Sequence, residues 1–436
     1  MQYLIKLIKK TYRMAHPRER KVVMSNVASL SMLQVITYLL PVIIVPYLFR
    51  VLGPDRFGLI VFAQAFIQYF IILTDYGFSI SATKEISLCR DEHAKICKAF
   101  SSVMMVKIAL AFLSLVILSV IVYSIPKFRN DWAVYILSFG TVVGSTIFPI
   151  WFFQGTEKMK YITILNTIGG IIFLLLIFFF VKGPQDYLLV PFINSSVFLI
   201  TGLLGQHIVL RRFRVSFKFQ GYKNVRQQLK AGWDVFISIA AINAYTTTRV
   251  FILGLLTNNN ITGFYSIAEK IAGACQTFPL DSFSQALFPR LSRMFQKNKI
   301  KAFKIMQRIQ QITIIISLIC LPLIFIFADM IVNVVCGKSY QEAVLSLRLL
   351  LVAVFFVTAN AFRVQFLLVC GKTHIYSRIH VIMAIVGLPL IFLLVYSFSY
   401  KGAALAAIFI ESGIFIITYF TVRKLNFRKY NLTNLR

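Results

Sequence analysis

Apolar and polar positions along this chain fall into long blocks rather than into the short amphipathic pattern of a soluble helix or strand. Between Asn26 and Ser87 two apolar runs, residues 26–49 and 57–80, flank the elbow Arg50-Val51-Leu52-Gly53-Pro54-Asp55-Arg56. Roughly 20 helical residues cross a hydrocarbon layer of about 30 Å, so either run can span a bilayer. The same block length recurs to the end of the chain. It predicts spans at about 25–49, 57–82, 100–124, 132–153, 161–181 and 187–209, then at about 231–256, 262–288, 309–333, 342–369, 375–396 and 401–421. The expected fold class is an all-α polytopic membrane protein with about 12 transmembrane helices.

The connections between these blocks differ in charge. Of 46 Lys and Arg residues, 34 fall in the two terminal segments and the connections after even-numbered spans, including Lys84, Arg211, Lys230, Arg290 and Arg423. The remaining connections hold only Arg50, Arg56, Lys127, Arg129, Lys182, Lys338 and Lys401. Cytoplasmic loops collect basic residues, so both termini are expected in the cytoplasm. The basic connector 210–230 divides the chain into an N-lobe (25–209) and a C-lobe (231–421), flanked by basic segments 1–24 and 422–436. Both lobes start on the same side, so a repeat would be parallel, with a pseudo-two-fold axis along the membrane normal. A shift of 205 residues pairs Gly58 with Gly263, Ala63 with Ala268, Phe78 with Phe283, Ser79 with Ser284 and Ser87 with Ser292.

Composition supports this reading. The chain has 436 residues, 58% of them hydrophobic, with a mean hydropathy of +0.78, well above a soluble domain. A net charge of +31 in a soluble protein would suggest a nucleic-acid partner. Here its alternation from loop to loop assigns it to topology, and no nucleic acid is expected. Cys89, Cys97, Cys275, Cys320, Cys336 and Cys370 form no C-x-x-C pair, and the histidines show no ligand spacing. Neither a disulfide framework nor a metal or other cofactor is expected. Basic residues persist through Lys21 with no short apolar core before them, so no cleavable signal peptide is expected. Residues 3–15 read equally as a basic amphipathic surface helix or an unstructured basic tail.

The candidate chemistry lies in polar residues within the spans, which in lipid must face protein or water. Lys107, Arg249, Lys270, Arg348 and Arg363 are the basic ones. Lys107 reads as snorkelling to the headgroups. Arg249, Lys270 and Arg363 lie on spans 7, 8 and 10 at comparable depth and predict one basic patch suited to an anionic group such as a phosphate. The alternative is pairing of these cations with Glu269 or Glu411 to hold helices together. Gln64, Gln68, Asn243, Thr247 and Gln276, with Tyr245, Thr246 and Thr248, offer neutral donors and acceptors suited to sugar hydroxyls. Asp75, Glu269, Asp281 and Glu411 are candidates for ion coupling. Pro41 and Pro46 suggest that span 1 bends as a gate. No G-x-S-x-G, Walker A or H-E-x-x-H motif is present, and all predicted outer loops are short, so no catalytic residue is proposed and the chain is not expected to be an enzyme.

Several segments resemble a known family. These are Leu39-Leu40-Pro41 through Pro46-Tyr47-Leu48-Phe49-Arg50 to Phe57-Gly58, Asp75-Tyr76-Gly77-Phe78, Trp151-Phe152-Phe153-Gln154-Gly155-Thr156-Glu157, Gly263-Phe264-Tyr265-Ser266-Ile267-Ala268-Glu269-Lys270, and Ala286-Leu287-Phe288-Pro289-Arg290. Over about 20–430 the chain resembles Wzx-type O-antigen and polysaccharide-unit flippases of the MOP exporter superfamily, relatives of peptidoglycan-precursor flippases and MATE drug exporters. The resemblance implies two six-helix lobes around a V-shaped cavity lined by helices 1, 2, 7 and 8. It implies flipping of an undecaprenyl-diphosphate-linked oligosaccharide for O-antigen or lipopolysaccharide across the bacterial inner membrane. In the peptidoglycan relatives a basic residue in the Ala-acid-base segment of helix 8 contacts the diphosphate, and Lys270 holds that place here. Those relatives also use arginines near the first hairpin, where Arg50 and Arg56 stand. The diphosphate is therefore expected on Lys270 and Arg249, assisted by Arg363 or Arg50. The implied partners are the lipid-linked oligosaccharide, membrane lipids, a polysaccharide polymerase and a chain-length regulator. The rival readings are a MATE-type cation antiporter, which favours an acidic cavity, and a glycan polymerase or ligase, which needs a large outer loop.

Overall fold

A computed structural model describes residues 17–89, 92–276 and 299–429. Every regular element among them is helical. In chain order they are α1 (Pro17–Asp75), α2 (Phe78–Leu88), α3 (His93–Ser124), α4 (Pro126–Arg129), α5 (Trp132–Ile147), α6 (Ile150–Gly155), α7 (Lys160–Phe180), a 3-10 turn (Pro184–Leu188), α8 (Leu189–Arg212), α9 (Tyr222–Thr246) and α10 (Thr248–Leu256). There follow α11 (259–276), α12 (Lys299–Ile326), α13 (Ala328–Cys336), α14 (Gln341–Val369) and α15 (Thr373–Lys429). By length and hydropathy, 8 helical stretches among the described residues can cross a membrane, or 9 if the bent pair α9–α10 counts as one crossing.

Two of these stretches are helical hairpins. In α1 the backbone leaves helical geometry at Gly53 (φ 75, ψ 169), a conformation open to glycine because it has no Cβ. Residues eight apart in a straight helix are about 12 Å apart, yet the Phe49 and Phe57 rings meet at 5.3 Å. The elbow therefore turns the chain back on itself. In α15 the break is at Ser399 (φ 53, ψ −131). There a Cβ on Gly402 would lie 1.8 Å from the Leu394 carbonyl oxygen, so only glycine lets the two arms meet. Pro41 and Pro46 lie within the first arm of α1.

At the elbow end the two halves of the chain meet in a tight seam. A Cβ on Gly58 would sit 1.8 Å from the Asn259 carbonyl oxygen, and one on Gly263 would sit 2.3 Å from the Pro54 carbonyl oxygen. The contact is reciprocal: residues 54 and 58 meet 259 and 263, each pair separated by 205 positions. Around it Phe49 packs on Phe264 and Tyr340. Phe62 and Phe66 each stack on Phe251, at 5.5 Å and 16°. Lys127 donates to the Leu255 and Thr257 carbonyls at 3.0 and 2.8 Å. Toward the opposite end Tyr76 stacks on Phe236 at 4.9 Å and 11°.

The Trp151-Phe152-Phe153-Gln154-Gly155 segment forms α6 and is core. Its three rings are buried and pack with Phe100 and Phe213. Gly155 lets α6 approach α2, where a Cβ would meet Ile86 at 2.7 Å.

Candidate functional site

Between the elbow seam and the opposite end lies a polar cavity of about 500 Å³, within the usual size of a ligand pocket. Four walls and a floor build it. The second arm of α1 presents Val61, Gln64, Ala65 and Gln68, one helical face by their spacing of three and four. α14 contributes the apolar floor Leu350, Ala353, Val354 and Val357, again one face. α11 brings Glu269, Lys270, Gly273 and Gln276, and α15 brings Glu411.

The fourth wall is the bent pair α9–α10, whose axes diverge by 46° at Thr247. Three successive threonines, Thr246, Thr247 and Thr248, sit at this bend. Thr246 hydrogen-bonds back to the Ile242 carbonyl at 3.0 Å, a contact that bends helices. Thr248 is tied across to the Tyr69 hydroxyl at 2.6 Å. The bend turns Asn243, Thr246, Thr247 and Arg249 into the cavity.

The charges in this cavity are arranged rather than uniform. Arg249 Nη2 donates to Glu269 Oε1 at 3.2 Å, with the two side chains only 12% and 27% exposed. Its Nε is buried without a hydrogen-bond partner in the protein. Glu411 lies within electrostatic reach of the same guanidinium. Lys270 is exposed to the cavity and makes no ion pair among the described residues. Lys270 is thus the cation open to an incoming anion, while Arg249 is held at the cavity wall by Glu269.

Ten of the residues singled out in the sequence therefore meet here: Gln64, Gln68, Asn243, Thr246, Thr247, Arg249, Glu269, Lys270, Gln276 and Glu411. The others do not. Arg363 lies in a separate cleft on the basic side, its guanidinium held over Phe415 at 4.5 Å and Tyr419 at 5.2 Å. Arg50 sits beyond the seam, donating to the Val334 and Val335 carbonyls. The expected basic patch of Arg249, Lys270 and Arg363 is thus replaced by two cations and two carboxylates, because α14 meets the cavity at Leu350, Ala353, Val354 and Val357 and Arg363 lies past them toward the basic end.

Tyr245 faces away from the cavity and bonds His380 Nδ1 at 2.7 Å. Asp75 lines a third cavity, of about 230 Å³, together with Lys107 and Asn166. Lys107 does not snorkel: it is 2% exposed and its Nζ reaches the Ser145 carbonyl at 3.4 Å. Asp281 lies outside the described residues. The sequence reading missed Gly273, where a Cβ would meet nothing within 4 Å. Its position one turn after Glu269, on the same helix face, was the available signal.

The comparisons with known proteins agree with this architecture. A family model described as "Polysaccharide biosynthesis protein" matches residues 23–295. An Escherichia coli (strain K12) protein named as an O-antigen transporter is 33% identical over 396 residues, covering 88% of this chain and 93% of the relative. A Haloferax volcanii protein named as a low-salt glycan biosynthesis flippase is 25% identical over 376 residues, covering 82% and 74%. Among solved structures, an inward-facing MATE-family multidrug transporter of the MOP superfamily superimposes with a TM-score of 0.71 at 11% identity, covering 89% of this chain and 96% of that one. The lipid II flippase MurJ in an inward closed conformation gives 0.70 at 12% identity, covering 90% and 87%. These last two establish the fold. The family model, spanning more than half the chain, and the 33% identical relative establish kinship: this chain belongs to the polysaccharide biosynthesis protein family.

Proposed function

We propose that the protein is a flippase for lipid-linked oligosaccharide repeat units, carrying undecaprenyl-diphosphate-linked O-antigen or a related surface glycan from the cytoplasmic to the periplasmic leaflet by alternating access. The carrying observation is the central cavity, where an exposed Lys270 and a fixed Arg249 face the amides of Gln64, Gln68, Asn243 and Gln276. Cations suit a diphosphate and neutral amides suit sugar hydroxyls. The prenyl tail stays in lipid. Glu269 and Glu411 beside Arg249 are the candidates for ion coupling, since a carboxylate that gains a proton releases its hold on the guanidinium. Asp75 lies apart from that group. The surface-glycan polymerase and chain-length regulator are the expected downstream partners.

Splitting α1 at Gly53 and α15 at Ser399 takes nine crossings to eleven, and counting α11 as one more gives twelve, six on each side of the connector 210–230. The reciprocal meeting of Gly58 and Gly263 supports two parallel lobes, because residues related by a two-fold axis touch each other at that axis. The basic loops support a seam on the periplasmic side and both termini in the cytoplasm of a cell with an inner membrane.

The test is deletion of the gene, followed by analysis of surface glycan and lipid-linked intermediates, with complementation by wild type and by Lys270→Gln/Arg249→Gln. Loss of glycan, with single units accumulating on the cytoplasmic side, is expected, and the double variant should fail to restore glycan at normal protein level. Normal glycan from the double variant overturns the site assignment. Intact glycan with altered sensitivity to cationic drugs favours instead an exporter, a reading that the two cavity carboxylates and the MATE-like fold keep in play.

A further inference from the structure

The segment that joins α8 to α9 is neither helix nor strand from residue 214 to 221, yet its backbone is laid along α3 in a regular register. The Ser216 N–H donates to Cys97 Sγ at 3.4 Å, the Lys218 N–H to Ser101 Oγ at 3.0 Å and the Gln220 N–H to Met105 Sδ at 3.2 Å. Ser101 donates its own proton to the Cys97 carbonyl at 2.8 Å, which leaves a lone pair for Lys218. Ahead of these contacts, the Phe213 carbonyl lies 3.3 Å from His93 Nε2. His93, Cys97, Ser101 and Met105 are each four residues apart and form one stripe on α3.

The match has a geometric cause. Two residues of extended chain advance about 6.6 Å, and four residues of helix advance about 6 Å. A helix with an acceptor at every fourth position therefore meets every second N–H of an extended segment. Side-chain packing reinforces the register, since Val215 is buried in the cluster that holds Ile96, Phe100 and Met104 of α3. The segment is a strap fastened to a helix of the first half of the chain.

At Gly221 the strap ends and α9 begins. A Cβ there would meet nothing within 4 Å, so no neighbour confines the residue, and glycine has the widest backbone freedom. Beyond it α9 touches the first half again, now at α2 and at the break between α1 and α2. Gln228 Nε2 donates to Glu85 Oε2 at 2.9 Å. A Cβ on Gly232 would lie 2.6 Å from the Tyr76 carbonyl oxygen, and one on Gly77 would lie 2.7 Å from Val235 Cβ. We propose that residues 213–220 move as part of α3 and that α9 swivels on Gly221. When the halves part at this end, the contacts of Gln228, Gly232 and Val235 with Glu85, Tyr76 and Gly77 break, while the strap stays in place. The free length between the halves is then one residue instead of the whole connector. This inference rests on the reading that the two halves move against each other.

Two measurements test it. The first is residue-resolved hydrogen exchange on the full wild-type chain, and it needs no assumption about transport. The amides of Ser216, Lys218 and Gln220 should exchange at least about tenfold more slowly than those of Phe217 and Phe219, whose N–H groups have no partner among the described residues. Equally fast exchange along 214–220 overturns the strap. The second measurement bridges thiol pairs with dibromobimane in inverted membrane vesicles that make polymeric glycan from added nucleotide sugars, in a background free of the other cysteines. Bridging native Cys97 to Ser216→Cys should leave glycan synthesis at the unbridged level. Bridging Glu85→Cys to Gln228→Cys should lower it about tenfold or more, because it ties elements that must separate. Loss of synthesis with both bridges overturns the strap alone, since the connector itself would then have to move. Normal synthesis with both bridges overturns the reading of moving halves, and the swivel with it.

Discussion

The two walls of the central cavity occupy related positions and carry different chemistry. Gln64 and Gln68 on α1 correspond, by the 205-residue offset of the reciprocal glycines, to Glu269 and Gly273 on α11. The α1 wall offers amides alone. The opposite wall carries Glu269, Lys270 and, across a 3.2 Å ion pair, Arg249. Shape is thus shared between the halves while charge is confined to one. A ligand with one anionic end and one neutral polar end is read by such a site in a single orientation, which a symmetric cavity could not impose.

The comparison can be broken most severely at its axis. Gly58→Leu should abolish surface glycan and lower the melting temperature by several degrees, because the new Cβ would meet the Asn259 backbone oxygen at 1.8 Å. Gly263→Leu should do the same by reciprocity. Wild-type melting and glycan in either variant would show that the close contact does not exist. Next in size are the charges. Arg249→Met should reduce transport about 10–100-fold, as loss of a charge-assisted hydrogen bond costs about 1.5–3 kcal/mol, and should also lower stability by stranding Glu269. Lys270→Met should reduce transport to a similar degree with stability unchanged, since Lys270 makes no ion pair among the described residues. Equal stability losses in the two variants would contradict the division between a paired and an open cation.

A sharper version exchanges the pair. Arg249→Glu with Glu269→Arg should recover folded protein relative to Arg249→Glu alone, while leaving transport low, because the guanidinium then projects from the wrong helix. Full recovery of transport would make the pair purely structural. The smallest effects belong to the neutral wall. Gln64→Leu and Gln68→Leu should each cost about 2–10-fold in transport, in keeping with about 0.5–1.5 kcal/mol for a neutral hydrogen bond. A larger loss than that of Lys270→Met would overturn the assignment of recognition to the charged wall.

The sequence made some of this legible and hid the rest for identifiable reasons. Block length and loop charge were enough to find the helices, and the polar interruptions at Gln64, Gln68, Arg249 and Lys270 were enough to find the cavity, because lipid tolerates few such groups without cause. Depth and direction around a span were harder to read. Arg363, expected level with Arg249, lies past the cavity-lining stretch of α14 toward the basic end, over Phe415 and Tyr419. Lys107 looked close enough to one end to reach water, but the Ser145 carbonyl and the Asp75-lined cavity hold it inside. Tyr245 sits between cavity-lining neighbours, and the bend at Thr247 and the His380 partner take it elsewhere. Each of these outcomes depends on which helix lies alongside, which hydropathy does not encode.

The glycine seam also sets a mechanical scale. Because Gly58 and Gly263 meet backbone to backbone with no side chains to repack, the contact can serve as a fulcrum, with the rest of each half as its lever. Gln68 lies ten residues from Gly58, about 15 Å along the helix, and Asp75 lies about 25 Å away. A rocking of about 10° would move Gln68 by roughly 2.6 Å and Asp75 by roughly 4.5 Å. Spin-label pairs placed at increasing distance from the seam should therefore report displacements that grow in proportion to that distance. A uniform displacement would mean that the halves slide past each other instead of pivoting.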